Sequence, residues 1–246
     1  MAVRSTASWI DQVIKQDQID KYLINGKDFI NENNIFRNLE DNKNPDQARI
    51  REIIQKSLSI KRLDPDETAA LIHVKDPELW EELYAAGLEV KRKVYDNRIV
   101  FFAPLYCSNL CVNSCVYCGF RTENNREKRR ILTMDEVRAE TRAVVSEGHK
   151  RMIVVFGEHP LSDADYMAES IKNIYSVKLP ARSGYGEIRR VNVNAAPMSI
   201  EDLKKLWEAG IGTYQVFQET YHKKTYADVH PAGLKAHYRW RLYALH

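Results

Sequence analysis

No stretch of this chain approaches 18 consecutive apolar residues, so the sequence offers no candidate for a membrane-spanning helix. The start, MAVRSTASWIDQ, has neither the apolar core nor the small-residue cleavage site of a secretion signal, and the chain reads as an intracellular protein. A surplus of one charge is missing too. With 37 basic and 34 acidic residues and a formal net charge of +3, nothing argues for nucleic acid or an acidic surface as a partner. No low-complexity run or repeat of uniform period interrupts the chain, and 44% hydrophobic with 29% charged residues is an ordinary globular balance. The most informative absence is of cysteine, which occurs nowhere outside residues 107 to 118. Four thiols packed into so short a segment cannot staple distant parts of the chain, so they point to metal or redox chemistry.

Residues 1–97 read as a helical N-terminal region. Asn44-Pro45, Asp64-Pro65 and Asp76-Pro77 each suggest an N-cap with proline pre-set at the first helical position. Ile50, Ile53, Ile54 and Leu58 then recur at helical spacing, as do Leu79, Leu83, Ala86 and Val90. Trp9, Ile10, Val13 and Ile14 suggest a further short helix, and INGKDFINENN reads as loop.

From Arg98 short apolar runs alternate with helix signals. RIVFFAPL predicts a parallel strand buried on both faces and leads directly into the cysteines. Thr133 with Glu136 forms a capping box opening a helix that Gly148 ends. MIVVF at 152–156 is the second predicted strand, Ser162 caps the next helix, and IRRVNVN at 188–194 is the third strand. Ser199 caps a helix closed by Gly210, TYQVF at 213–217 is the fourth strand, and YRWRLYAL opens a final helix. Such alternation implies an α/β fold of parallel strands with right-handed crossovers, either a TIM-type barrel or a doubly wound sheet. A closed eightfold barrel takes about 250 residues. Residues 98–246 therefore accommodate at most half of one, about four βα units, leaving the barrel incomplete at the C-terminus. The basic stretch REKRR at 126–130 reads as a solvated loop.

In PLYCSNLCVNSCVYCGF the cysteines at 107, 111, 115 and 118 follow a predicted strand, where parallel α/β folds gather functional groups. Cys111, Cys115 and Cys118 follow the spacing CxxxCxxC, which can wrap three irons of a 4Fe-4S cubane and leave the fourth without a protein ligand. That open iron can chelate the amino and carboxylate groups of S-adenosylmethionine, whose reductive cleavage yields a 5'-deoxyadenosyl radical. A four-thiolate zinc site is the alternative, although such sites usually pair two CxxC knuckles and here there is one. Inert buried thiols are a third reading.

At these residues the sequence resembles the radical SAM superfamily, whose motif carries an aromatic residue before the last cysteine, here Tyr117. Within it the chain is most similar to the tyrosine lyases that mature FeFe-hydrogenases, through LYCSNLCVNSCVYCGFR, FGEHP, IRRVNVN, AGIGTYQVFQETYH continued by VHPAG, and the lead-in KRKVYDNRIVFFAPLY. The resemblance implies a radical SAM barrel that binds a 4Fe-4S cluster and S-adenosyl-L-methionine. It further implies cleavage of the Cα–Cβ bond of L-tyrosine to p-cresol and dehydroglycine, the source of the CO and cyanide ligands of the hydrogenase H-cluster. It implies a ferredoxin or flavodoxin as electron donor, other hydrogenase maturases as partners, and a cytoplasmic setting or, in a eukaryote, a hydrogenosome or similar matrix. The related tyrosine lyases of thiamine thiazole synthesis share the cysteine loop, GEH and QETYH, and a catalytically silent metal-binding module is a further alternative.

Residue by residue, the resemblance makes Cys111, Cys115 and Cys118 the cluster ligands. It places Gly157 and Glu158 at the cofactor's amino group, and Tyr117, Asn194, Gln218 and Glu219 elsewhere around the cofactor. His159 and His222 are candidates for moving protons near a phenol. Three positions depart from the family. No cysteine follows Cys118 to bind the auxiliary cluster of the family's C-terminal extension. Cys107 stands where an apolar residue is commoner, and reads as a passive neighbour. Phe156 replaces a small residue and is expected to press on the cofactor's methionine end.

Overall fold

The structure is a computed structural model that describes residues 9, 12–181 and 184–246. The expected helix over Trp9 to Ile14 includes Ile10, which lies outside the described residues. The chain forms two compact units, one spanning Phe29–Val100 and the other joining the described residues up to Asp28 with Phe101–His246. The helix α1 (Gln16–Asp20) belongs with the second unit, where it packs on a helix near the C-terminus, rather than with the helices that follow it.

The helical unit contains α2 (Glu32–Asp41), α3 (Gln47–Leu58), α4 (Pro65–Ile72) and α5 (Pro77–Tyr95). Ile50, Ile53 and Ile54 of α3 meet Ala70, Val74, Leu79 and Ala86 in one apolar cluster, as the helical spacing predicts. Asp64 and Asp76 are N-caps with proline in the first turn, and Asp64 forms a capping box with Glu67. At the third site the cap is displaced from Asn44 to Asp46, whose carboxylate accepts the Ala48 amide at 2.6 Å. The first turn of α2 falls inside the segment expected to be loop. Asn31 caps it by accepting from Asn34, and Ile35, Phe36 and Leu39 give it a short apolar face, although no residue of α2 is fully buried.

In the second unit β1 (Ala103–Ser108), β2 (Arg151–Phe156), β5 (Arg190–Asn194) and β6 (Thr213–Gln215) form one parallel sheet in the order β1-β2-β5-β6. α6 (Met134–Ser146) connects β1 to β2, α7 (Ala164–Ser176) lies between β2 and β5, and α8 (Ile200–Glu208) connects β5 to β6. The α/β partial barrel expected from the alternation is the fold observed. Beyond β6 come α9 (Lys223–Val229), which the periodicity does not reveal, and α10 (Tyr238–Leu242). An unanticipated antiparallel hairpin, β3 (Lys178–Pro180) with β4 (Tyr185–Glu187), is inserted after α7.

Alternation along the strands sends Leu105, Cys107, Met152, Val154, Phe156, Val191 and Val193 into a core with Val137, Ile171, Ile174 and Leu206 of the helices. The capping box at Thr133 and the cap at Ser199 are both present, and Gly148 and Gly210 take positive φ past the helix ends. The cap of α7 is Asp163, not Ser162. Asp163 accepts from Tyr166, while the Ser162 hydroxyl donates to the Gly157 carbonyl at 2.7 Å. β1 begins at Ala103. Ile99, Val100, Phe101 and Phe102 are exposed and unpaired, so the buried strand expected over Arg98–Leu105 starts later and runs through Cys107.

Candidate active site

The loops that leave β1, β2, β5 and β6 at their carboxyl ends converge, and the cysteine segment lies among them. It is pinned from several directions. Gly157 N–H donates to Ser108 O at 2.9 Å and Val112 N–H to Glu158 O at 2.9 Å, joining the β1 and β2 loops. Ser114 N–H reaches Ala232 O at 3.2 Å and Val116 N–H reaches Val229 O at 3.1 Å, joining the segment after α9. The Arg129 guanidinium donates to the carbonyls of Asn109 (2.8 Å), Phe120 (2.9 Å) and Asn124 (3.2 Å). The REKRR stretch is therefore not simply solvated, because its fourth residue clamps the cysteine loop. Gly157 has no room for a side chain: a Cβ would collide with the Leu110 carbonyl and lie 3.3 Å from Cys111 Cβ.

Cys111, Cys115 and Cys118 line one cavity of about 170 Å³ together with Tyr117, Gly157, Glu158, Asn194 and Glu219. Eight of the nine residues given cluster or cofactor roles by the sequence are thus brought together. Gln218 is buried beside them without lining the cavity, and neither its side-chain oxygen nor its nitrogen has a hydrogen-bond partner among the described residues. Cys107 is fully buried on the helix-facing side of β1, and burial pushes its thiol up to about 12. Phe156 lines the same cavity as the cluster cysteines, and its ring packs in that core edge-on to Tyr166 at 6.0 Å between centroids.

Glu158 is not a solvated residue. Its Oε2 accepts from Asn113 Nδ2 at 2.6 Å and from the Arg241 guanidinium at 2.9 Å, in a buried ion pair, while Oε1 has no partner among the described residues. Glu219, at φ 69°, pairs with Lys235 at 2.9 Å. Lys235 Nζ also lies over the Tyr117 ring, 5.7 Å from its centroid. The Tyr117 hydroxyl meets His230 Nε2 at 2.7 Å, and His230 Nδ1 lies 2.9 Å from the Tyr226 carbonyl. That carbonyl can only accept, so Nδ1 carries the proton and Nε2 accepts from the phenol. His159 and His222 do not line the cavity. His159 Nδ1 accepts from Leu161 N–H at 3.2 Å, and His222 Nδ1 meets Thr225 Oγ1 at 2.7 Å.

Sequence reasoning missed Asn113, Lys235, Arg241 and His230. Asparagine is an ordinary loop residue, and Lys235, between Leu234 and Ala236, belongs to no motif. The one available signal was Arg241, set between Trp240 and Leu242 in a helix pattern whose apolar face it shares.

Burial raises the Cys111 and Cys115 thiols. For Cys111 the amide N–H groups of Asn113 and Glu158 work against that effect, and for Cys115 the Lys235 ammonium does. Among the described residues no three His, Cys, Asp or Glu side chains converge as a single metal ion requires. The three thiols instead line one cavity that Glu158 also lines, and Oε1 of that carboxylate is buried with no partner among the described residues. Soft donors around a space, with a carboxylate acceptor beside it, fit an iron–sulfur cluster carrying an ammonium-bearing ligand.

Residues 105–246 match the model of the radical SAM superfamily, and the chain belongs to that superfamily of enzymes. Among solved structures it is similar to HydG, a maturase of the [FeFe]-hydrogenase, at 45% identity and a TM-score of 0.85, covering 89% of this chain and 47% of that one. The HydG maturase of Carboxydothermus hydrogenoformans is 35% identical with a TM-score of 0.76, over 94% of this chain and 50% of that one. The 2-iminoacetate synthase of Escherichia coli (strain K12) is 30% identical over 190 residues, 77% of this chain and 48% of that protein. The chain spans about half the length of these relatives. No helix among the described residues is long and apolar enough to cross a membrane.

Proposed function

We propose that the chain is the cluster- and cofactor-binding part of a tyrosine lyase for [FeFe]-hydrogenase maturation. The observation that carries this reading is the single cavity lined by Cys111, Cys115, Cys118 and Glu158, whose carboxylate keeps one buried oxygen without a partner among the described residues. The 45% identity to a HydG maturase supports the choice within the superfamily. The 2-iminoacetate named for the Escherichia coli relative is the same compound as dehydroglycine, so both relatives fit tyrosine cleavage at Cα–Cβ.

In this reading the three thiolates hold a 4Fe-4S cluster, which with S-adenosyl-L-methionine supplies a 5'-deoxyadenosyl radical. Glu158 Oε1 receives the cofactor's ammonium group, with Oε2 held back by Asn113 and Arg241. Asn194 and Glu219 also line the cavity. Glu219, with the neighbouring buried Gln218, holds the ribose and sulfonium. Tyr117, fixed by His230, shields the cluster edge from water. L-tyrosine is the substrate, a small ferredoxin or flavodoxin is the electron donor, and other hydrogenase maturases are the further partners. The cytoplasm, or an organelle matrix, is the setting.

The test replaces the corresponding half of the Carboxydothermus hydrogenoformans HydG maturase with this chain. After anaerobic iron and sulfide reconstitution, the chimaera is given dithionite, S-adenosylmethionine and tyrosine. Release of p-cresol matched to 5'-deoxyadenosine is expected. A chimaera that cleaves S-adenosylmethionine but leaves tyrosine intact would overturn the substrate assignment, and one that holds zinc at Cys111, Cys115 and Cys118, with iron at the auxiliary site alone, would overturn the cluster.

A further inference from the structure

We propose that Asn113 is a positioning residue that couples the cluster ligand Cys111 to the carboxylate Glu158, setting both the ease of cluster reduction and the aim of Glu158. The inference rests on the cluster reading above. Asn113 lies between two of the ligand cysteines and is only 3% exposed. Its Nδ2 donates to Glu158 Oε2 at 2.6 Å and lies 3.5 Å from Cys111 Sγ, within reach of an N–H···S bond. Its Oδ1 accepts from Lys235 N–H at 2.8 Å.

These partners fix the amide's orientation. Reversing it would set Oδ1 against a carboxylate and a sulfur, and Nδ2 against an N–H donor, leaving every contact repulsive. Space for the side chain is kept by Gly233, at φ 87°, where a Cβ would strike Asn113 Oδ1 and the Val112 carbonyl. Two consequences follow. An N–H donor on a ligand sulfur withdraws electron density from the cluster and favours its reduction. With Asn113 and Arg241 both on Oε2, the carboxylate is held by one oxygen and Oε1 is left without a partner among the described residues, in a side chain that lines the cavity. Aspartate would place a second carboxylate beside Glu158, and serine is too short to span from Lys235 to Cys111.

The experiment is an EPR-monitored redox titration of the reconstituted chain, wild type against Asn113→Asp and Asn113→Ser, with S-adenosylmethionine binding read from the change in the reduced-cluster spectrum. Both variants should be harder to reduce by at least tenfold in equilibrium, about 59 mV for a one-electron couple. Both should bind S-adenosylmethionine at least tenfold more weakly. In parallel, wild-type protein labelled with asparagine carrying ¹⁵N at the side-chain nitrogen alone should show hyperfine coupling between the reduced cluster and that nitrogen, a measurement independent of whether the variants fold. Variants with an intact cluster, unchanged potential and unchanged binding overturn the inference. So does a wild-type cluster without that coupling. A wild-type chain that assembles no cluster at all would instead overturn the cluster reading on which the inference stands.

Discussion

Cys107 and Cys111 stand four residues apart and meet opposite surroundings, one in the core between sheet and helices, the other on the rim of the cavity. Their fates on mutation should differ accordingly. Alanine at Cys111, Cys115 or Cys118 is expected to abolish the intact cluster, measured as iron and sulfide per chain after anaerobic reconstitution. Alanine at Cys107 should retain full iron content while lowering stability by on the order of 1 kcal/mol, the scale of one buried methyl-sized group. Loss of iron from the Cys107 variant would show a four-thiolate site. At this scale the sequence foretold which residues share one cavity where a motif fixes spacing, as in CxxxCxxC, or where a strand end fixes height, as for Gly157, Glu158 and Asn194. It was not readable for Asn113, His230 and Arg241, whose roles depend on partners 45 to 122 positions away in the chain. The histidines chosen from position alone, His159 and His222, are held by neighbours two and three residues away, which a strand-end argument cannot anticipate.

At the scale of elements, caps were the most legible feature where the chemistry was reciprocal. Thr133 and Glu136 bond each other's backbone, and Thr133→Ala should cost about 1 kcal/mol of stability by denaturant titration. Where two capping residues are adjacent, as at Ser162 and Asp163, the carboxylate took the cap and the hydroxyl was drawn to Gly157. α2 escaped because its first turn, Glu32 to Asn34, is wholly polar and only Ile35, Phe36 and Leu39 follow it, and the strands of the β3–β4 hairpin are too short to carry a period-two signal. Between α3 and α4, Lys56 bonds both Asp64 (2.9 Å) and Glu67 (2.7 Å) and holds their carboxyls below the ordinary carboxylate range. A depressed folded pKa stabilises fully above the unfolded values, about 3.9 and 4.3, and that stability is lost as pH falls through the lower folded values. Glu67→Gln should therefore be less stable than wild type at pH 7. The gap should narrow as the pH drops below about 4. A gap that stays constant between pH 7 and pH 3 in urea titrations would contradict this assignment.

For the whole molecule, the sheet ends at β1 on one side and β6 on the other, and on its inner face Tyr106 is 58% exposed. Four strands can hold a cofactor at their carboxyl ends without enclosing a substrate, and a radical facing water or the wrong C–H bond is quenched. The reduced, reconstituted chain is therefore expected to release a little 5'-deoxyadenosine, uncoupled from tyrosine, and no p-cresol. Chromatographic quantification of both products decides the matter, and stoichiometric p-cresol from the chain alone would show that the four strands suffice. The alternation of strand and helix made this architecture visible in advance, because the period changes at each crossover.

The Arg129 clamp on the cysteine loop bears on how the cofactor is maintained. Fixing a backbone residue costs about 1–2 kcal/mol, and here carbonyls of Asn109, Phe120 and Asn124 are fixed by a side chain that no iron touches. The mould thus exists before the casting. Oxidative damage that strips the metal should leave the loop in place, so that iron and sulfide re-enter a finished shape and repair proceeds without refolding.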